Sequence, residues 1–275
     1  MPTNREIYFQ LLKENNKYLN KSVIISLLVD ANEFSDRMIL YSNFDKEVKN
    51  IEKFLNDVND VKKGIPYQYV LGYSEFLGHK INVNKNVLIP RQETEQLTVD
   101  TIVYLKRFMD QNTDCAIADV CTGSGAIARA IEEEFPNAKI YATDISTEAI
   151  KVAKTNLRKT EVLQGNLVDP LIEKGIKLDV LVCNPPYIDK VDRIDEQVLK
   201  FEPHLALLAN PCTKFYKEIF AKADKVMNEH YLMAFEIDED MEQPLIKLMN
   251  KYLEGANYRF HKDIYNKMRF LYIIK

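Results

Sequence analysis

The chain has 275 residues, 46% of them hydrophobic and 28% charged, with a formal net charge of −4. That balance excludes a disordered or fibrous chain and fits globular domains with a sizeable core. No apolar run approaches the roughly 18 residues of a membrane-spanning helix, and the acidic balance disfavours nucleic acid as the main partner while leaving room for a local basic face.

The segment Met1–Glu6 has no basic stretch followed by an apolar one, so no signal peptide is read there. The four cysteines form no C-x-x-C pair and the four histidines are scattered. This pattern reads as reduced thiols in a cytoplasmic protein, with no metal site. Residues 1–70 read as helical. Thr3 and Glu6 stand at capping-box spacing ahead of Ile7, Leu11 and Leu12. Further helical stretches run from Ser22 to Val29 and after Ser35. From Asp45, a pattern of Val48, Ile51, Leu55 and Val58 continues to Gly64 and Pro66. Residues 71–90 predict a β-hairpin linker, with Ser74–Leu77 and Lys80–Val83 around Gly78-His79. A helix follows Arg91–Glu95.

From residue 91 to 275 strand and helix alternate. Strands are predicted at Ala116–Cys121, Lys139–Thr143, Glu161–Gln164, Leu178–Cys183, Tyr231–Ile237, Tyr258–His261 and Arg269–Ile274, with helices at about 125–135, 147–158, 213–228 and 240–253. Seven strands with interleaved helices predict a doubly wound α/β fold with a mostly parallel sheet. The last two strands are too close for a helix between them and should pair antiparallel. Ile188–Asn210 reads as the longest stretch without secondary structure, a substrate-facing loop.

Two motifs carry chemistry. Asn184-Pro185-Pro186-Tyr187 closes the apolar run Leu178–Cys183. Prolines make such a strand end stiff, and the carboxyl end of a strand in an α/β sheet is where ligands bind. Taken alone, the motif is a rigid polar-aromatic turn suited to a planar NH₂ group, or an ordinary Pro-Pro turn. Asp119-Val120-Cys121-Thr122-Gly123-Ser124-Gly125 follows an earlier strand, and Asp144 ends the next one about 20 residues on, the spacing of a carboxylate on ribose hydroxyls. Ala128 fills the third glycine position of a dinucleotide fingerprint, which favours a nucleoside with a small charged tail, such as S-adenosylmethionine. Asp119 is read as facing the methionine ammonium or as structuring the loop, and Asp144 as a ribose ligand or a helix N-cap.

In order along the chain, Pro66-Tyr67-Gln68-Tyr69-Val70-Leu71-Gly72, Phe76-Leu77-Gly78, Leu88-Ile89-Pro90-Arg91-Gln92-Glu93-Thr94-Glu95, Thr122–Ala128, Asp144-Ile145-Ser146, Asn184–Ile188 and Phe201-Glu202-Pro203 resemble the HemK/PrmC family. These are the glutamine N5-methyltransferases of peptide chain release factors. The resemblance implies a class I, Rossmann-like methyltransferase domain at 91–275, preceded by a helical substrate-docking domain at 1–70 and the hairpin linker. It implies S-adenosylmethionine as cofactor and class I release factors as protein substrate, methylated on the glutamine of their Gly-Gly-Gln loop. Carried over, Cys121, Thr122, Gly123, Ser124 and Gly125 wrap the methionine part, Asp144 holds ribose, Asn166 and Leu167 lie beside adenine, and Asn184, Pro185, Pro186 and Tyr187 hold the substrate amide. Four departures stand out: Cys121 replaces a glycine, Asn166 replaces an aspartate, Ala209–Cys212 lacks a glycine-rich segment, and Glu236-Ile237-Asp238 lacks a glycine. Two other readings predict different outcomes: an adenine-N6 methyltransferase acting on nucleic acid, and a catalytically silent binding protein. A monomer is expected. Arg91 and Glu93 are read as bracing the hairpin.

Overall fold

The computed structural model describes residues 2–108 and 115–275. They divide into two compact units, Met1–Tyr73 and Ser74–Lys275.

The first unit is helical: Asn4–Lys13, Lys21–Ala31, Arg37–Ser42, Ile51–Lys62 and Tyr67–Leu71. The Thr3 hydroxyl accepts from the Glu6 backbone while the Glu6 carboxylate accepts from the Thr3 backbone, which completes the expected capping box. Inside, Asn4 and Asn32 are buried. The Asn4 amide donates to the carbonyls of Asn43 (3.1 Å) and Lys46 (3.0 Å), and its oxygen accepts from Asn32 at 2.7 Å. Buried amides so fully partnered specify how the helices meet rather than weaken the packing. The fourth helix turns a different face inward from the predicted one: Phe54, Val58 and Val61 are buried, whereas Leu55 is 53% exposed. The helix begins at Ile51, capped by Asn50, so the pattern counted from Val48 starts in the preceding loop.

The second unit opens with β1 (Tyr73–Phe76) and β2 (His79–Asn82), joined by Leu77-Gly78 with φ of 47° and 77°. Positive φ at both central residues matches the twist of a two-residue hairpin turn. After helix Gln92–Phe108 come β3 (Ala116–Val120), β4 (Lys139–Asp144), β5 (Glu161–Gln164), β6 (Leu178–Cys183), β7 (Met227–Glu236), β8 (Asn257–Lys262) and β9 (Met268–Ile274). The sheet order is β5-β4-β3-β6-β7-β9-β8. The pairs from β5 to β7 are parallel, and β9 is antiparallel to both β7 and β8. Every residue of β3 is buried, as expected of a central parallel strand covered on both faces. Strand order reverses between β3 and β6, so their carboxyl ends flank a topological switch point.

Two predicted segments differ. The single helix read at 213–228 is two, Lys214–Phe220 and Ala223–Val226, and Val226 leads directly into β7. Ile188–Asn210 is not an irregular loop. It holds the helix Glu196–Phe201 between single 3₁₀ turns at Val191–Arg193 and His204–Ala206. Its ends meet: Ile188 N donates to Leu207 O at 3.1 Å and Ala209 N to Ile188 O at 2.9 Å. Asp195 caps the short helix through Gln197 N. A helix this short has little periodicity to read, which is why the pattern escaped.

Candidate active site at the sheet switch point

The loop after β3 turns sharply into the helix Ala126–Glu134. Cys121, Gly123 and Gly125 all take positive φ, at 62°, 54° and 83°. Cys121 thus adopts the left-handed backbone that glycine adopts freely, at a cost of about 1 kcal/mol or more. A Cβ at Gly123 would meet nothing within 4 Å, so the backbone there borders open space.

Two carboxylates organise this loop. Asp119 Oδ2 accepts from Thr122 Oγ1 at 2.6 Å and from Ala128 N at 3.1 Å. Its Oδ1 is buried with no hydrogen-bond partner among the described residues. Burial pushes the Asp119 carboxyl up to about 7, against the pull of those two donors. One oxygen therefore structures the loop, and the other is a buried acceptor awaiting a donor or cation. Asp144 accepts from Gly123 N on one oxygen and from Ser146 N on the other, both at 2.9 Å, with the Ile145 backbone as a further donor. The N-cap of the following helix is Ser146, through Ala149 N at 3.2 Å, so the N-cap alternative for Asp144 is set aside. Burial raises the Asp144 carboxyl above the ordinary range, against the pull of those backbone donors.

The segment after β5 lies alongside. Gly165 N bonds Asp144 O at 2.9 Å, and Thr143 Oγ1 donates to Leu167 O at 2.7 Å. A side chain at Gly165 would bring a Cβ within 2.3 Å of the Pro170 ring, so only glycine fits. Leu167 is buried, while the Asn166 amide donates to Glu218 at 3.2 Å.

Across the switch point, Val120 pairs with Cys183, so Cys121 and Asn184 leave the paired strand ends side by side. Burial pushes the Cys183 thiol well up, with the neighbouring Cys121 thiol adding to the rise. None of the four cysteines is in a disulfide. Asn184 Nδ2 donates to Thr94 Oγ1 at 3.0 Å, and Thr94 Oγ1 donates to Glu236 Oε2 at 2.6 Å. Tyr187 OH donates to Glu236 Oε1 at 2.9 Å, and the Glu236 backbone carbonyl accepts from Tyr216 OH at 2.6 Å. A cavity of about 200 Å³ is lined by Asn184–Ile188 together with Arg91, Arg193, Val198 and Glu236. A larger hollow of about 760 Å³ lies elsewhere, lined by Asp100, Arg107, Tyr258 and Tyr272 among others and by no motif residue.

The predicted site residues thus come together along the carboxyl ends of four adjacent strands. The supports were not predicted. Arg91 pairs with Glu202 at 2.5 Å rather than with Glu93, and Glu202 also accepts from Ile89 N at 3.0 Å. Arg91 therefore fastens the 188–210 segment, while the hairpin turn is held by Glu95 through Leu77 N at 2.8 Å. Asn156 bonds both Asn82 and the Ser124 carbonyl, tying β2 to the glycine loop. The one sequence signal for Thr94, Glu95 and Glu202 was their presence in the family-like blocks.

Comparison with known proteins agrees with this geometry. A family model described as "Methyltransferase small domain" matches residues 96–201. Among solved structures, the human METTL16 catalytic domain, crystallised in complex with a MAT2A 3′UTR hairpin, aligns with a TM-score of 0.55 at 17% identity over 76% of this chain and 78% of that one. A human methyltransferase 10 domain containing protein aligns at 0.51 and 16% over 72% and 90%. These likenesses show the class I methyltransferase fold alone. Curated relatives reach further. The chain is 34% identical over 95% of both chains to the release factor glutamine methyltransferase of Mycoplasma mycoides. It is 36% identical to that of Staphylococcus aureus over 82% of each, and 32% identical to that of Bacillus subtilis over 95% of each. This chain belongs to the release factor glutamine methyltransferase family.

Proposed function

We propose that this protein transfers a methyl group from S-adenosylmethionine to the side-chain amide nitrogen of the glutamine in the Gly-Gly-Gln loop of class I peptide chain release factors. The observation that carries the reading is the adjacency of Asn184–Tyr187 and the Cys121–Gly125 loop across the paired ends of β3 and β6. The residues present fit the cofactor. Asp119 offers a buried acceptor oxygen without a partner, the size and charge complement of an ammonium. Gly123 leaves open space at the backbone, and Asp144 retains a lone pair for a ribose hydroxyl. Cys121, Thr122, Ser124 and Gly125 would enclose the methionine part, with Asn166 and Leu167 beside adenine.

S-adenosylmethionine, when bound, supplies an activated methyl on a positively charged sulfur. The rest falls to this chain's residues. A carboxamide nitrogen is a poor nucleophile because its lone pair is delocalised into the carbonyl. The Asn184 Oδ1 and the Pro185 carbonyl are two acceptors on a stiff support, able to take both hydrogens of the substrate NH₂. Those hydrogen bonds strengthen as positive charge grows on nitrogen, so they favour the transition state over the ground state. Pro186 keeps the turn rigid, and the Tyr187 ring, whose hydroxyl is anchored on Glu236, would pack against the planar amide. Positioning rather than a strong base is what the site provides.

The helical unit at 1–70 is read as the release-factor docking part, and 71–90 as its link to the methyltransferase domain at 91–275. In its support, Phe9, Met38 and Tyr41 stand 49%, 67% and 48% exposed on the helical unit. The reading extends to a monomer in the cytoplasm that does not use nucleic acid as substrate. No helix among the described residues is long and apolar enough to cross a membrane, and no His/Cys/Asp/Glu group there could hold a metal.

The test is incubation with methyl-labelled cofactor and a release factor. Label on the Gly-Gly-Gln glutamine is expected. No label at cofactor levels shown by calorimetry to saturate the protein would sink the proposal. Label on nucleic acid instead would favour the adenine reading, and absence of cofactor binding the silent one.

A further inference from the structure

The hydrogen-bond chain behind Asn184 has a direction, and the direction is forced. Glu236 is buried at the end of β7 and receives two hydroxyls, from Thr94 and from Tyr187. Burial raises the Glu236 carboxyl above its ordinary range, but the two hydroxyls and the Arg269 cation favour its charged form, and a carboxylate only accepts. Thr94 therefore commits its single proton to Glu236 and has only lone pairs left for Asn184. The Asn184 amide stands 3.0 Å from that oxygen, so it must turn its NH₂ toward Thr94. Its oxygen then faces the other way. Reversed, the amide would set one lone-pair atom against another.

Asn184 needs such a device. The terminal torsion of an asparagine is broad and roughly two-fold, so neither the strand nor the following prolines choose between the two orientations. A flipped amide would meet the substrate's NH₂ with an NH₂, donor against donor, and the acceptor would be lost. We propose that Thr94 and Glu236 are positioning residues that fix the Asn184 side-chain amide with its oxygen toward the substrate, selecting an NH₂-bearing acceptor over one that offers only lone pairs. The inference rests on the amide-methylation reading above. Because Glu236 also holds Tyr187, one buried carboxylate sets both ends of the motif. Thr94 reaches it from the helix Gln92–Phe108, 90 residues before Asn184 and 142 before Glu236. The groups facing Glu236 are Thr94 and Tyr187 as donors, Arg269 as a cation and Glu93 as a like charge.

The experiment measures kcat and KM for a release factor, with cofactor affinity by calorimetry, for the wild type and for Thr94→Ser, Thr94→Val and Glu236→Gln in the full chain. Thr94→Ser keeps the donor and the acceptor and should stay within about threefold of wild type. Thr94→Val should lower kcat by roughly 10- to 100-fold, with KM and cofactor affinity within about threefold. Glu236→Gln has the same shape but only one acceptor oxygen for two hydroxyls, so Thr94 and Tyr187 compete for it and one of them must accept from the new NH₂. Its kcat should fall, but by less than in Thr94→Val. A bracing role alone would move melting temperature and spare kcat in this isosteric variant. Wild-type transfer together with unchanged kcat in a folded Thr94→Val overturns the relay and leaves the function standing. No transfer by the wild type overturns both.

Discussion

The two loops that meet between β3 and β6 are held in opposite ways. The glycine loop is closed from nearby in the chain: Asp119 takes Thr122 and Ala128, three and nine residues on, and Asp144 takes Gly123 from 21 residues back. The motif after β6 is held from afar. Asn184 leans on Thr94, 90 residues away, Tyr187 on Glu236, 49 away, and the segment beyond it on Arg91, 111 residues from Glu202. A nucleoside site can thus be built from one strand–turn–helix unit and its neighbour, whereas the substrate site needs the whole sheet in place. Damage to the first should stay local, and damage to the second should spread.

The sharpest test of that contrast is Asn184→Ala. It should cut methyl transfer by about 10²- to 10³-fold, measured with labelled cofactor, while cofactor affinity by calorimetry shifts by less than tenfold. An equal loss of cofactor affinity would merge the two loops into one unit. Next comes Arg91→Ala, which leaves the buried Glu202 carboxylate with only the Ile89 amide. It should cost about 1–3 kcal/mol in denaturant unfolding and weaken transfer more than cofactor binding. Gly165→Ala should cost a similar 1–3 kcal/mol through the collision with Pro170, and should weaken cofactor binding more than catalysis.

Asp119 gives a pH signature to the cofactor side. Its folded carboxyl lies near 7 against an ordinary 3.8. A raised carboxylate contributes full stability below the unfolded value and loses it as pH rises through the folded one. The cofactor-free protein should therefore lose about 2–3 kcal/mol between pH 5 and pH 8 relative to Asp119→Asn, followed by urea unfolding. Cofactor binding should release protons over the same window, because an ammonium beside Asp119 favours the charged form. The smallest effect expected is that of Cys121→Gly. Relief of the left-handed backbone and loss of thiol packing offset each other, leaving stability within about 1 kcal/mol of wild type and transfer intact.

The same contrast explains what the sequence made legible. Asp119, Gly123, Gly125 and Asp144 could be placed because their partners lie within one βαβ unit, where spacing carries geometry. Six of the seven strands were placed to within about two residues of their bounds, and β7 begins four residues before the predicted Tyr231. The antiparallel ending follows from the short connection between β8 and β9. Thr94, Glu202 and Asn156 were opaque in role because a polar residue's buried partner across a hundred residues leaves no local trace. The 188–210 segment was misread for a related reason: its order comes from Ile188 meeting Leu207 and Ala209 and from Arg193 reaching Asp238 at 2.6 Å, none of which shows as periodicity.

The sheet order has a consequence for how the protein is made. β9 follows β8 in the chain yet lies between β7 and β8, so β8 has no place in the sheet until Met268–Ile274 have been synthesised. Until then the growing polypeptide carries two bare strand edges, one on β7 and one on β8, each a template for pairing with another chain. A ribosome that stops short of Met268 leaves a product in that condition. Premature termination between residues 262 and 268 should therefore give aggregates rather than a shortened enzyme.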